Sequence, residues 1–413
     1  MDEQARFSAV PLRVLAALGA MSLVLAAGTT PSSAAAEPAG DVSAITLVEQ
    51  RTLEITDGQL IALSPDGGRI AVSRPAGPQP TRLCIHDVAT LKERVCADLS
   101  DLDAGLWVES AVWSPDSQWL AFAELWPLFL VDGDLWLMDA SSGELANLLD
   151  DGYKGNLGAT PASGLVPEAI ITLPSYPTFT PDSAAVTFSR GLFEAGEFRG
   201  SDVATVPIVG GEAVRLGDLA RRTPGFDYWG KHWTADGSRL YVSLAEYQES
   251  GLGSESGIWA LGVDSTEAQQ LTRHDDWPPR IMRVSPCGEH LLVLDTTSLG
   301  RWAPSYALVD GVSGAVEPVE PLRPEARQSA PITGVMLSPD GALLLTVSGR
   351  GGKQVAVRDL AGTSEKVLVS ESSGAVPSDL GGAVLTWADD DTVLVNGGRH
   401  GRGTLLFLDR GAV

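Results

Sequence analysis

Positive charge is scarce in this chain of 413 residues, where 29 Lys and Arg face 53 Asp and Glu for a formal net charge of −24. Binding to a nucleic-acid backbone is excluded as a main function, because phosphate neutralisation needs a basic surface. The five histidines, His86, His232, His274, His290 and His400, are scattered with no H-x-x-x-H pair, and the three cysteines form no C-x-x-C. The acidic spots at Asp150-Asp151, Asp275-Asp276 and Asp389-Asp390-Asp391 lack calcium-loop spacing, so no metal and no cofactor is expected. A G-x-S-x-G elbow is also missing: the nearest string, Gly253-Ser254-Glu255-Ser256-Gly257, carries Glu at its centre, which excludes the serine-hydrolase reading. Long apolar runs are missing too. The one from Val14 to Ala27 spans 14 residues, short of the roughly 20 that cross a bilayer, and nothing later is longer.

That run follows Arg6 and Arg13 and precedes small residues ending at Ala34-Ala35-Ala36, an A-x-A cleavage pattern. Residues 1–36 are therefore read as a secretory signal peptide, 37–43 as a short linker, and the protein as exported, with no membrane span after cleavage. No Cys follows the run to take a lipid anchor, and no Arg-Arg pair precedes it.

What the remainder has in abundance is turn formers, with 45 Gly and 26 Pro beside 44% hydrophobic residues. Such a chain is too apolar for disorder and suited to many short strands. One pattern, an apolar residue followed by Ser/Thr-Pro-Asp-Gly or a variant, occurs seven times: Leu63–Gly67, Trp113–Ser117, Phe179–Ser183, Trp233–Gly237, Val284–Gly288, Leu337–Gly341 and the degenerate Trp387–Asp391. The Ser/Thr/Ala positions are spaced 50, 66, 54, 51, 53 and 50 residues apart, one repeat over the whole mature region. Pro presets the first corner of a turn, Asp bonds the local backbone, and Gly takes the positive φ that closes a hairpin. Apolar strands such as RIAVS and RLYVSL follow each turn, then a third strand and, in six units, a fourth. Four antiparallel strands repeated radially make a propeller blade. The last unit ends without its fourth strand, and Ala44–Gln50 is the spare strand that would complete it, so a seven-bladed all-β propeller closed from the N-terminus is predicted over 44–413.

These units resemble the WD40-like repeats of TolB-type and tricorn-type propellers, also found in the propeller domains of prolyl oligopeptidases; Leu271-Thr272-Arg273-His274 ahead of the next turn is similar to their strand-end signature. The resemblance is to the propeller alone, without the N-terminal domain of TolB or a peptidase domain. It implies a fold and leaves the function open, since such propellers bind proteins, gate peptides or flank a catalytic domain.

The function expected is a non-catalytic, monomeric binding or scaffold module; the alternative is a propeller lyase or hydrolase with a site on the axis. Trp113, Trp233 and Trp387 precede the turn motif and are assigned to the blade cores. Binding residues are expected on the face opposite the Pro-Asp-Gly turns, on long connections at 149–176, 190–202, 217–232, 245–257 and 296–305. The candidates there are Trp126, Tyr153, Tyr228, Trp229, His274, Asp275, Asp276, Trp277 and Trp302. Units six, seven and one add a basic patch of Arg350, Lys353, Arg399, His400, Arg402, Arg74 and Arg82, expected to receive an anionic ligand or an acidic partner segment, with Arg350, Arg399 and Arg402 foremost. Cys84 and Cys96, on neighbouring strands of the first unit, are expected to form a disulfide, leaving Cys287 free.

Overall fold

The computed structural model describes residues 42–55, 58–75, 80–99, 111–123, 134–149, 170–194, 197–217, 219, 226–248, 251–263, 268–273, 279–295, 305–319, 332–348, 354–370, 384–389, 391–396 and 402–410. Among them there is no helix, and every strand belongs to one of seven antiparallel sheets.

Blade one comprises Gln59–Leu63, Arg69–Pro75, Pro80–Asp87 and Glu93–Asp98; blade two, Val112–Trp113, Trp119–Ala123, Leu135–Asp139 and Leu145–Asn147. Blade three comprises Ile170–Phe179, Ala185–Glu194, Glu197–Pro207 and Val214–Arg215; blade four, Phe226–Trp233, Arg239–Gln248, Gly257–Gly262 and Ala268–Gln270, with Gly251–Leu252 folded back on its second strand. Blade five runs through Pro279–Val284, His290–Asp295, Tyr306–Asp310 and Val316–Pro318; blade six, through Ile332–Leu337, Leu343–Ser348, Gln354–Asp359 and Glu365–Ser370. Blade seven takes Val384–Trp387, Thr392–Asn396 and Arg402–Asp409 from the C-terminus and Thr46–Glu54 from the N-terminus. The predicted closure is thus present, its strand starting two residues later and running four further than the sequence pattern marks. The register runs from Thr46↔Asp409 to Glu54↔Arg402.

The first strand of each blade touches the first strand of the next all the way round, so these seven strands line the axis. The core lies between the blades. Because side chains alternate across a strand, each blade feeds two wedges: on the second strand of blade two, Leu120 and Phe122 pack toward blade one while Ala121 and Ala123 pack toward blade three. Seven apolar clusters fill the seven gaps, including those between blades six and seven and between seven and one. Trp113 and Trp387 are fully buried in these wedges and Trp233 nearly so, as the motif predicts.

The repeated turn works as its residues suggest. In blade two, Ser114 Oγ donates to Asp116 Oδ1 at 2.6 Å and accepts from the Trp119 amide at 2.9 Å, and Asp116 accepts from the Gln118 amide. Gly67, Gly237, Gly288 and Gly341 take the positive φ, but blades two and three place Ser117 and Ser183 there, at φ 60° and 61°. The unfavourable backbone has a compensation. Ser117 Oγ accepts from the Asp66 amide of blade one, and Ser183 Oγ from the Asp116 amide of blade two, each at 3.1 Å, so these hydroxyls tie successive turns together.

Cys84 and Cys96 are register partners on the third and fourth strands of blade one and are joined by a disulfide; Cys287 is free and exposed.

Two of the predicted long connections are instead extended hairpins, and part of a third is strand. Residues 190–202 continue the second and third strands of blade three to the pair Glu194↔Glu197, and 245–257 likewise prolong blade four. Of 217–232, the stretch from Phe226 is inner strand. In blade three the physical reason is a cross-strand ion pair: Arg190 and Asp202 face each other in register, with Nε–Oδ1 at 2.6 Å and Nη2–Oδ2 at 3.1 Å, and Asp202 is buried.

Candidate functional site

The expected surface residues divide three ways. Trp126, Tyr153, His274, Asp275, Asp276, Trp277, Trp302, Arg350, Lys353, Arg399 and His400 lie outside the described residues. Trp229 and Arg402 lie in the first strand of blade four and the third of blade seven. Of the rest, Tyr228 corrects the expectation. It is core, buried between blades three and four with its hydroxyl donating to Leu219 O at 2.5 Å, and so offers nothing to a surface ligand. Arg74 and Arg82, register partners in blade one, both reach Glu93, at 3.1 and 3.6 Å. This exposed carboxylate shares two guanidinium groups, an arrangement worth little in stability. Glu93 also lies beside Cys84 and Cys96, a grouping with metal-ligand spacing, but the disulfide removes both thiolates.

The structure gathers a second set that the sequence reading passed over. Lys231 and His232 stand on the first strand of blade four, Arg280 and Arg283 on that of blade five, and Tyr176 on that of blade three. Lys231 is buried. Its ammonium donates to Ser189 Oγ at 2.6 Å and to Tyr228 O at 3.5 Å, and lies 5.4 Å from the centroid of the Tyr176 ring. The Arg280 guanidinium approaches the same ring at 6.0 Å. Such distances over an aromatic face are attractive through the ring quadrupole. Arg283, also buried, donates from Nη1 to the Trp387 carbonyl at 3.3 Å. Trp387 belongs to the first strand of blade seven, so this bond bridges past blade six between two blades that are not neighbours.

His232 is enclosed among them, its Nε2 3.3 Å from Ile281 O. Burial, foremost, lowers its pKa to about 3, and the charges of Arg283, Arg280 and Lys231 push in the same direction. The imidazole is therefore neutral near pH 7, and the charges described around it are cationic. The backbone is shaped to bring these groups close. Gly230 forms a bulge beside Lys231 at φ 29°, and a Cβ there would meet Ile281 O at 2.5 Å, so only glycine permits this approach of blade four to blade five. Tyr176 sits at another bulge with φ 50°, rare for a large aromatic side chain.

A signal for this set exists in the sequence, in the comparison of repeats at fixed distance from the turn. Three residues before the Ser/Thr/Ala, six units carry Ile61, Ala111, Pro177, Met282, Val335 and Leu385, and blade four alone carries a charge, Lys231. Two residues before it, Ala62, Val112, Thr178, Met336 and Thr386 contrast with His232 and Arg283.

No family model and no curated protein matches the sequence. Solved structures do match in fold. An oligogalacturonate lyase in complex with manganese aligns at 13% identity over 87% of this chain and 91% of that one, with TM-score 0.55. The β-propeller domain of Cps50 (Swd1) from Myceliophteria thermophila aligns at 13% identity over 86% and 99%, TM-score 0.53, and TolB from Acinetobacter baumannii at 13% over 84% and 78%, TM-score 0.40. The fold expected from the repeats is therefore shared with known propellers. Of the first two, one is named as an enzyme and the other is not, so the likeness decides nothing about catalysis.

Proposed function

We propose that this protein is an exported, non-catalytic propeller that binds a protein or an anionic ligand on the face opposite the Pro-Asp-Gly turns. The observation that carries this reading is the asymmetry of that face. The first three strands of blade three run to 10, 10 and 11 residues and the first two of blade four to 8 and 10, against 6 for each of the first two of blades five and six. The surplus extends beyond the packed wedges, forming a wall on one side of a rigid ring, where binding residues concentrate. Export is supported by the Cys84–Cys96 disulfide, which persists in an oxidising compartment. An axial lyase or hydrolase would gather carboxylates around a histidine, whereas the neighbours described for His232 are cationic.

The test is capture of partners from the exported fraction by the mature protein, compared with a variant in which residues 193–198 are replaced by a two-residue turn and with the double charge reversal Arg350→Glu/Arg399→Glu. Loss of a specific partner in either variant, with melting unchanged, supports the reading. Identical capture by all three proteins refutes it. N-terminal sequencing of the exported protein checks cleavage after about Ala36.

A further inference from the structure

We infer that reduction of the Cys84–Cys96 disulfide opens a tetrahedral zinc site in blade one, with the two freed thiolates, Glu93 and His86 as its ligands. The inference goes beyond the binding reading above and does not rest on it.

The four residues share one face of the blade because of a single irregularity. Cys84 and Cys96 are register partners on the third and fourth strands, and His86 lies two residues beyond Cys84, on the same face. In a regular fourth strand Glu93, three residues from Cys96, would point to the opposite face. The register slips between Ile85↔Val95 and His86↔Glu93, so a bulge at Arg94 returns Glu93 to the cysteine face, opposite His86. The two Sγ atoms and a Glu93 carboxylate oxygen lie within 4.8 Å of one another. A zinc ion with sulfur at about 2.3 Å and nitrogen or oxygen at about 2.0 Å sets its ligand atoms about 3.3–3.8 Å apart, which side-chain rotations reach from here.

His86 supplies the independent sign. Its side chain is buried, and Nδ1 lies 3.1 Å from Leu91 O, an atom that can only accept. The proton of the neutral ring is therefore on Nδ1, and the lone pair is on Nε2. That Nε2 is buried with no hydrogen-bond partner, a costly state for a polar atom. A histidine that gives one nitrogen to a backbone carbonyl and keeps the other bare is oriented as metal-ligating histidines are. Glu93 is held in the manner of a ligating carboxylate. Arg74 bridges to Oε2 at 3.1 Å and Arg82 to Oε1 at 3.6 Å, so Oε1, with the longer contact, can turn to an ion while Arg74 keeps the other oxygen. Two thiolates, an imidazole and one carboxylate oxygen suit a borderline-soft divalent ion and not calcium or magnesium, which take oxygen ligands.

Opening the site needs a thiol reductant. Its thiolate attacks Cys96, the partly exposed sulfur, forming a mixed disulfide and releasing Cys84. A second reductant thiol displaces Cys96, the reductant leaves as its own disulfide, and two electrons and two protons have passed to the cysteines. Zinc then displaces both thiol protons to solvent. The ion joins the same two strands that the disulfide joined, so blade one keeps a cross-link in either redox state.

The experiment uses the mature full-length protein carrying Cys287→Ser, which removes the remaining thiol. It is reduced with a water-soluble phosphine, freed of reductant under argon, and titrated with cobalt chloride as a spectroscopic probe, then with zinc chloride in competition. The reduced protein is expected to bind one cobalt per chain, with a thiolate-to-metal charge-transfer band and the intense visible bands of tetrahedral coordination, and zinc should displace it. The oxidised protein and Cys84→Ser/Cys96→Ser should show neither band. Glu93→Gln and His86→Gln should each weaken binding by at least the roughly tenfold that loss of even an outer partner costs. Thermal shift should find that zinc raises the melting temperature of the reduced protein and leaves that of the oxidised protein unchanged. If His86→Gln fails to fold, Glu93→Gln decides, since that side chain is exposed. No cobalt bands after reduction, the same bands in the oxidised protein or the double serine variant, or equal affinity in Glu93→Gln or a folded His86→Gln would each overturn the inference.

Discussion

Replacing Leu53 by Ala tests whether the strand from the N-terminus holds the ring together. Leu53 lies on that strand, fully buried with Ile55, Leu60, Leu63 and Ile70 of the N-terminal side and Leu394 and Leu405 of blade seven. Truncating a fully buried Leu costs about 3 kcal/mol, combining lost transfer energy with the cavity left behind. Unfolding entropy of about 2.1 cal/mol/K per residue gives roughly 0.8 kcal/mol/K for a cooperative unit of about 370 residues, so the melting temperature should fall by about 4 °C. Val48 on the same strand is 67% exposed, and Val48→Ala should change it by less than about 1 °C. Differential scanning calorimetry, with urea unfolding followed by tryptophan fluorescence, reads both. The reasoning fails if the two variants melt together, because a strand that merely lies against the ring would show no difference between its buried and exposed positions.

Thiol titration of the denatured, non-reduced protein should find one reactive thiol, Cys287, and the variant Cys84→Ser/Cys96→Ser should lose about 3 kcal/mol on the loop-entropy account of a 12-residue separation; three thiols would refute the bridge. Gly230→Ala should cost about 1–3 kcal/mol in urea unfolding, since the added methyl meets Ile281 O at 2.5 Å, and a neutral result would show that blades four and five can part at the axis. Stability should also depend on His232. The folded state keeps it neutral down to about pH 3 while the unfolded chain protonates it near 6.5, so the unfolded state binds more protons between these values and stability falls as pH is lowered through that window. The slope is about 1.4 kcal/mol per pH unit. His232→Gln should flatten this limb and leave the loss below about pH 4 intact, because the turn carboxylates Asp182 and Asp236, held low by the hydroxyls of Thr180 and Thr234, still titrate there; an unchanged profile would refute the assignment.

The ring was legible because the turn chemistry is local. Ser114, Pro115 and Asp116 make their turn whatever surrounds them, and seven phased copies then count the blades. The spare strand was legible by subtraction from a repeat of four. The hairpins at 190–202 and 245–257 were not, because an extended strand pair leaving a sheet reads like a loop once the core-facing apolar residues stop, and the Arg190–Asp202 pair that continues the ladder is polar. The axial group was hidden for another reason. Whether an inner-strand side chain meets its own blade, the next blade or one beyond is set by the closed ring, so nothing within the fifth repeat tells that Arg283 finds its acceptor in the seventh. Tyr228 misled in the opposite direction, since an aromatic residue between turn signals looks exposed until the neighbouring blade covers it.

Closure by the N-terminal strand has a consequence for the order of events during synthesis. Thr46 emerges first and must wait until Asp409, 363 positions later, is available to pair with it. The longest-range strand pairing among the described residues is thus the last that can form, and loops of that length make the final step slow. Until then blade seven lacks a strand and presents an open ladder to any other chain. The waiting strand carries its own protection in Glu49, Arg51 and Glu54, charged residues in a segment that would otherwise be free to pair wrongly. A chain threaded through a membrane from its N-terminus would deliver this strand to the far side well before its partner, so the interval of exposure falls where no further synthesis can shorten it.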